Sequence, residues 1–466
     1  MPDIVGIDRE QIKSTMDSAH IPGVSIAYRD GKTNQTSTTT IGTTDIRNAT
    51  IVSKVQADTV FGAASLSKPV FAYLVLKLID KGVLSKPGES AESGLDRPLH
   101  EVFSLEEFFF EQGNQLSQVD IERAKAITPR ILLSHTSGLG INANAALSFV
   151  PGSEYAYSGT GLEYLQRVIE EQTGKSLGIL AHEYIFSKSA VDMEHSSFLP
   201  PGSSKANAAN SLYTTASDYA KLMTAWMQDP SPVMQQAFVS QISLAKDNQS
   251  LSEKTKPAAE HVEVKVKERL AWGLGLGLEL DETGKAVKAF HTGDMNQFRA
   301  QTALNLEDKS CIAFFSNANN DKEANGHILA PLIITPKIPI NYAHTWFYSK
   351  FPFAYKVNQI PRQPNFGLRV QSQDKKEDSN TVMAAFMPKA DLKAPLIRKK
   401  KQISSYAFIK ESLPTQTKSS NPAPSSHELK KKPNVEPSTP TPVNNEKTLA
   451  ETNKSLTPSP LKTIPK

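Results

Sequence analysis

Ten consecutive residues, Val70–Ile79, run Val-Phe-Ala-Tyr-Leu-Val-Leu-Lys-Leu-Ile. Extended to Lys81, this stretch predicts a helix that is apolar nearly all round, and such a helix has no face to offer water. It is too short to cross a bilayer and already contains Lys77, so it belongs at the centre of a folded domain. Strand signals near both ends of the chain supply a covering layer. Val24, Ile26 and Tyr28 alternate along Val24–Arg29, Asp30-Gly31 turns, and the β-branched run Thr36–Ile41 returns as a partner. Much later, Trp272–Leu280, Ala289–His291, Ala300–Leu306 and Cys311–Ser316 read as successive antiparallel strands, with a turn at Asp281–Gly284. His327–Ile334 reads as a closing helix. Between the two groups lie helices: one opened by Thr128-Pro129, one over Gly159–Thr173 with a stop at Gly174, and one behind the cap Thr215-Ala-Ser-Asp218. Neither strand group makes a core alone. One α+β domain is therefore expected, its antiparallel sheet built from N- and C-terminal strands and flanked by helices.

That domain does not use the whole chain. Apolar residues make up 39% of the 466, below the roughly 45–50% usual for globular proteins. The shortfall is local: residues 371–466 hold 17 Lys/Arg, 9 Asp/Glu and 12 of the 30 prolines. What remains, 1–370, has 35 basic against 39 acidic side chains, so a mildly acidic body carries a basic tail. The expected division is a folded domain over 1–345, an aromatic-rich extension over 346–370 containing Trp346, Phe347 and Tyr348, and a disordered Pro/Ser/Thr/Lys-rich tail over 371–466. Nothing in the body's charge suggests nucleic acid or membrane as a partner. The clusters Arg398–Lys401 and Lys430–Lys432 leave the tail able to dock an anionic surface or an unidentified partner. A lone cysteine, Cys311, rules out an internal disulfide, and the charged N-terminus lacks the apolar core of a secretory signal. The expectation is a soluble protein, cytoplasmic or exported by a route without a classical signal peptide.

Chemistry enters at Ser65-Leu-Ser-Lys68. Taken alone, this tetrad reads as a serine cap with a surface lysine, and Ser243/Lys246, Ser372/Lys375 and Ser459/Lys462 share its spacing. Context sets the first apart. It follows the small, flexible stretch Gly62-Ala-Ala64 and opens the buried helix, with Ser65 and Lys68 one turn apart on one face. A helix N-terminus favours an oxygen that must become anionic, and an amine among apolar groups suits a base beside a serine. Two further motifs follow in order. Tyr157-Ser-Gly159 lies in a turn-rich loop before a helix, and His291-Thr292-Gly293 ends an expected strand. No Gly-x-Ser-x-Gly elbow, His-Glu-x-x-His, P-loop or Gly-x-Gly-x-x-Gly at a strand–helix junction competes, and no metal or cofactor is expected.

With Thr128-Pro-Arg-Ile-Leu-Leu-Ser-His-Thr-Ser-Gly-Leu139, Pro151–Ser158 and Ser211–Asp218, these motifs make the chain resemble the β-lactamase-related serine hydrolases from about Ile21 to Asn319. That family includes class C β-lactamases, D-alanyl-D-alanine carboxypeptidases and esterases. The resemblance implies a penicillin-binding transpeptidase-like fold with a mainly helical subdomain. It also implies an acyl-enzyme at Ser65, with Lys68 as proton partner and Tyr157 relaying the proton to the leaving group. The backbone N–H groups of Ser65 and Asp294 would form the oxyanion hole, and Gly159, His291, Thr292 and Gly293 would line the substrate. His135, inside Ser-His-Thr-Ser-Gly, is expected to be a structural hydrogen-bonding residue, and Cys311 a core residue.

Three positions depart from the commonest β-lactamase pattern. Gly159 replaces an asparagine, which removes a polar contact and is expected to leave space. His291 replaces a lysine and is expected to be partly charged near neutrality. Asp294 adds negative charge beside the oxyanion site. Together they favour a small-molecule or peptide-like acyl substrate, an ester or amide without a carboxylate, over efficient β-lactam hydrolysis. They also leave open a catalytically impaired binding or scaffold protein that keeps the fold.

Overall fold

The computed structural model describes residues 3–44, 53–141, 144–199, 203, 205–246, 268–295, 298–317, 326–340 and 342–343. The aromatic-rich extension from 346 and the tail from 371 lie outside these residues, as do Ser372 and Ser459.

The strands, in chain order, are β1 (Gly23–Arg29), β2 (Thr36–Gly42), β3 (Phe61–Gly62), β4 (Tyr213–Thr214), β5 (Ile242–Ser243), β6 (Leu270–Trp272), β7 (Gly277–Leu280), β8 (Ala286–Met295), β9 (Phe298–Asn305) and β10 (Cys311–Asn317). Eight form one antiparallel sheet in the order β2-β1-β10-β9-β8-β7-β6-β5, so the first and last strand groups do share a sheet. The seam is the β1–β10 pairing, from Gly23 opposite Asn317 to Arg29 opposite Cys311. β3 and β4 make a separate two-stranded pair that carries the chain into the central helix.

The helices used below are α1 (Arg9–Ser18), α2 (Ser67–Asp80), α3 (Leu105–Glu111), α4 (Gln118–Ala124), α5 (Pro129–Leu133), α6 (Thr160–Thr173), α7 (Leu177–Ala181) and α8 (Ala216–Gln228). Every residue of α2 is buried except Lys77 and Asp80. The period of two along the strands explains how the sheet accepts a layer on each face. Ala27, Cys311, Ala313 and Phe315 point into the cluster that holds α2, α6 and α8. Val24, Ile26, Ile312 and Phe314 point the other way, against α1 and the closing segment Ile328–Ala343. The caps read from sequence are present: the Thr128 side chain accepts the Ile131 N–H, and Thr215 accepts that of Asp218.

Three local expectations are corrected. Trp272–Leu280 is two strands, β6 and β7, joined by a turn whose Gly275 has φ +89°. An uninterrupted strand there would have no turn to set against α2, where a side chain on Gly275 would strike Ala72. Gly62-Ala-Ala64 is not flexible, because all three residues are buried and the first belongs to β3. The closing helix is a 3-10 turn, Gly326–Leu329, followed by a single helical turn, Ala330–Ile333, with Pro331 at its start.

Candidate active site

Ser65 lies in the 3-10 turn Ala64–Leu66 that leads into α2, and it is the one partly accessible residue in the buried run Phe61–Leu76. The turn is held from several sides. Ala63 N–H donates to Leu212 O at 2.8 Å, Leu212 N–H to Ser67 Oγ at 2.9 Å, and Ser67 Oγ–H to Ala64 O at 2.6 Å. The Tyr219 hydroxyl of α8 donates to Leu66 O at 3.2 Å. Ala64 itself sits at φ +49°, a conformation an alanine keeps only where its surroundings impose it. Sequence reading did not single out Ser67, Leu212 or Tyr219. Leu212 lay within Ser211–Asp218, one of the stretches resembling the family, and Ser67 within the Ser65–Lys68 tetrad, but neither they nor Tyr219 carried a signal of this role.

Lys68 is 3% exposed. Its Nζ donates to Ser65 Oγ at 3.1 Å and to Ala209 O at 2.8 Å, and stands 4.9 Å from the centre of the Tyr157 ring. One turn of helix thus brings serine and lysine together, and a carbonyl 141 residues away anchors the amine. Ser243/Lys246 shares the spacing but not the setting: Ser243 is an exposed strand residue followed by the 3-10 turn Leu244–Lys246, whereas Ser65 leads into the buried helix α2.

Tyr157 is placed by His135. The His135 Nδ1 accepts the Ser158 N–H at 3.1 Å, its carbonyl accepts the Ala156 N–H at 2.8 Å, and its ring lies 4.6 Å from that of Tyr157. The backbone is therefore gripped on both sides of the tyrosine. Burial, aided by the charge of Lys68, holds the His135 imidazole well below its ordinary pKa, so it is neutral. Trp272 completes this aromatic nest, 5.3 Å from His135, 6.1 Å from Tyr157 and 5.6 Å from His291.

His291, Thr292 and Gly293 lie inside β8, where they pair with Thr302, Gln301 and Ala300, and do not end the strand. Gly293 lets β8 pass against the Ser65 turn: a methyl group there would strike the Ala63 carbonyl and come within 3.4 Å of the Leu66 nitrogen. His291 is not partly charged. Burial first, then the charge of Lys68, bring its pKa down to about 3, although its bond to Thr292 O works the other way. Its Nδ1 meets that carbonyl at 2.8 Å, which puts the proton on Nδ1 and leaves Nε2 as an acceptor.

Two further expectations change. The space beside Gly159 is not open, because a side chain there would come within 2.8 Å of the Ile141 carbonyl oxygen. Asp294 is not a free negative charge. It pairs with Arg299 at 3.2 Å and lies 3.6 Å from His327 Nε2. Burial opposes its charge, but His327 and Arg299 prevail and keep the carboxyl below its ordinary pKa. Cys311 is buried as expected, its thiol pushed up to about 12 by burial. Among the described residues no cluster of His, Cys, Asp or Glu could hold a metal ion, and no helix is long and apolar enough to cross a membrane.

The comparisons with known proteins bear on this arrangement. A curated relative, an uncharacterized protein of Alkalihalophilus pseudofirmus, is 27% identical over 124 residues, a match covering 26% of this chain and 30% of that relative's length. A D-stereospecific amidohydrolase of Streptomyces sp. is 17% identical, with 71% of this chain and 98% of the other covered and a TM-score of 0.47. A β-lactamase/D-alanine carboxypeptidase of Yersinia pestis is 18% identical, with 67% and 93% covered and a TM-score of 0.49. The family model for beta-lactamase matches residues 9–332, a span that runs from α1 to the closing helix and takes in Ser65, Lys68, Tyr157 and His291. The chain belongs to the beta-lactamase family, whose members are serine hydrolases.

Proposed function

We propose that the protein is a serine hydrolase that forms an acyl-enzyme at Ser65 on neutral carboxylic esters or amides. The observation that carries this reading is the 3.1 Å contact between Lys68 Nζ and Ser65 Oγ, in a turn held from several sides. Ser65 Oγ attacks the acyl carbon while its proton passes to the Lys68–Tyr157 pair. The bond to the leaving group breaks, and the leaving group takes that proton. Water then attacks the acyl carbon and gives a proton to the pair, which passes it to Ser65 Oγ as the acyl–oxygen bond breaks and frees the serine. The N–H groups of Ser65 and Asp294 bind the oxyanion, a contribution of about 3 kcal/mol per donor in comparable sites. Preference for uncharged substrates rests on the neutral His291 and on Arg299, whose charge is already engaged by Asp294.

The test is intact mass after incubation with a fluorophosphonate or an activated ester. One adduct is expected on the wild-type chain and none on Ser65→Ala, with short-chain esters turned over faster than a chromogenic cephalosporin. A wild-type chain that no acylating probe labels overturns the reading. Stoichiometric acylation without turnover favours a binding protein that keeps the fold.

A further inference from the structure

A cleft of about 640 Å³ opens beside the C-terminal half of α2. Its floor and walls come from the end of β1, from α2, from the segment 183–192 and from α8. On α2, Lys77 in this cleft follows Lys68 by nine residues, about 14 Å along the axis, so the cleft and the Ser65 turn lie towards opposite ends of one helix.

The charges around the cleft do not cancel. Three carboxylates line it, and each already has its own lysine. Asp229 pairs with Lys77 at 2.7 Å, Asp192 with Lys221 at 3.2 Å, and Glu183 with Lys175 at 2.7 Å. Two cations remain, Arg29 and Lys81, and neither forms an ion pair among the described residues. Asp80, next to Lys81 in the chain, instead accepts the Ser231 hydroxyl. Lys81 has a modest reason to be where it is, since it caps the negative end of α2. Arg29 has none. It is partly buried at the end of a strand, Nη1 donates to Thr36 Oγ1 at 2.9 Å, and its Nε is buried without a partner. A half-buried guanidinium with no anion is a costly arrangement that a bound oxyanion relieves. Tyr73 supplies a further donor from the same wall, as burial and then the charge of Asp229 raise its pKa and keep the phenol protonated. Tyr184 and Val191 add apolar surface beside these charges, so the cleft suits an ion that carries an organic group.

We propose that this cleft binds a small phosphate monoester, with its phosphate held by Arg29 and Lys81 and its organic part against Tyr73 and Tyr184. The site is independent of the chemistry at Ser65. Calorimetric titration of the full chain with phenyl phosphate at about 0.15 M salt, where exposed charges are largely screened, is the test. Saturable binding is expected, tighter than that of inorganic phosphate, weakened about tenfold in Arg29→Gln and a few-fold in Lys81→Glu. Because Lys81 is exposed at a helix end, Lys81→Glu gives a readout even where Arg29→Gln fails to fold. Binding that does not saturate, that is no tighter than for inorganic phosphate, or that Lys81→Glu leaves unchanged overturns the proposal.

Discussion

At position 291 the residue type was legible in the sequence, but its charge was not. Imidazole titrates near neutrality in water, and only the packing of Trp272, Tyr157 and Lys68 around it makes this one neutral. With a pKa near 3, the ring is uncharged from about pH 5 to 9. Ester hydrolysis is therefore expected to show no limb from His291 in that range. His291→Lys should raise kcat/KM for carboxylate-bearing substrates about tenfold relative to neutral esters. An alkaline limb near pH 6.5 that disappears in His291→Gln would contradict this. His135 is a second case. Its left-handed φ of +57° and its two backbone bonds make it a positioning residue for Tyr157. His135→Ala leaves the buried Ser158 N–H without its acceptor, a loss of about 2 kcal/mol in stability. The same change should lower kcat about tenfold with KM nearly unchanged. Asparagine tolerates the left-handed backbone, so His135→Asn should recover part of both losses in thermal melts and steady-state kinetics.

The elements divide by how locally they are specified. The Ser65–Lys68 pairing was readable because both residues sit on one helical turn, and the apolar girth of α2 announced its central place. The partners of that turn were not readable, because Leu212, Tyr219 and Gly293 reach it only through the fold. The turn within Trp272–Leu280 was hidden by its alternating Gly and Leu, which mimic the period of a strand. The Ile141 carbonyl beside Gly159 gave no signal either, since a backbone atom carries no residue type. β8 makes the strongest element-scale prediction. In Gly293→Ala the new methyl meets the Ala63 carbonyl, a backbone atom with little freedom to yield. Overpacking of this kind costs about 1–3 kcal/mol. Displacing the Ser65 turn should slow acylation about a hundredfold, read as the labelling rate with an activated ester. Wild-type labelling in this variant would mean that β8 does not set the turn.

At the scale of the molecule, the sheet has a helical layer on each face, and its second face depends on the closing segment. Glu279 on β7 secures that segment by accepting the Ala343 N–H at 2.8 Å. Burial raises its carboxyl from 4.5 to about 7, despite the bonds from Ala343 and Tyr342. The folded state therefore holds this proton more tightly than the unfolded chain does. The stability it contributes is present below about pH 4.5 and is lost as pH rises through about 7, a change of about 3 kcal/mol. Glu279→Gln should abolish that decline in urea titrations at pH 5 and 8.5, and an equal slope in both proteins would contradict it. The α+β class and the shared sheet were evident from where the strands lay in the sequence. The two-faced core was not, because α1 and the closing segment are too short to declare a face. The β1–β10 seam also orders events during synthesis. The Ser65 turn leaves the ribosome early, but β8, against which it packs, begins only at Ala286. At about 5–20 residues per second the nascent turn waits on the order of 10–40 s for that wall. Until Asn317 has emerged to pair with Gly23, the growing chain carries Ser65 and Lys68 without the completed sheet against which their turn packs.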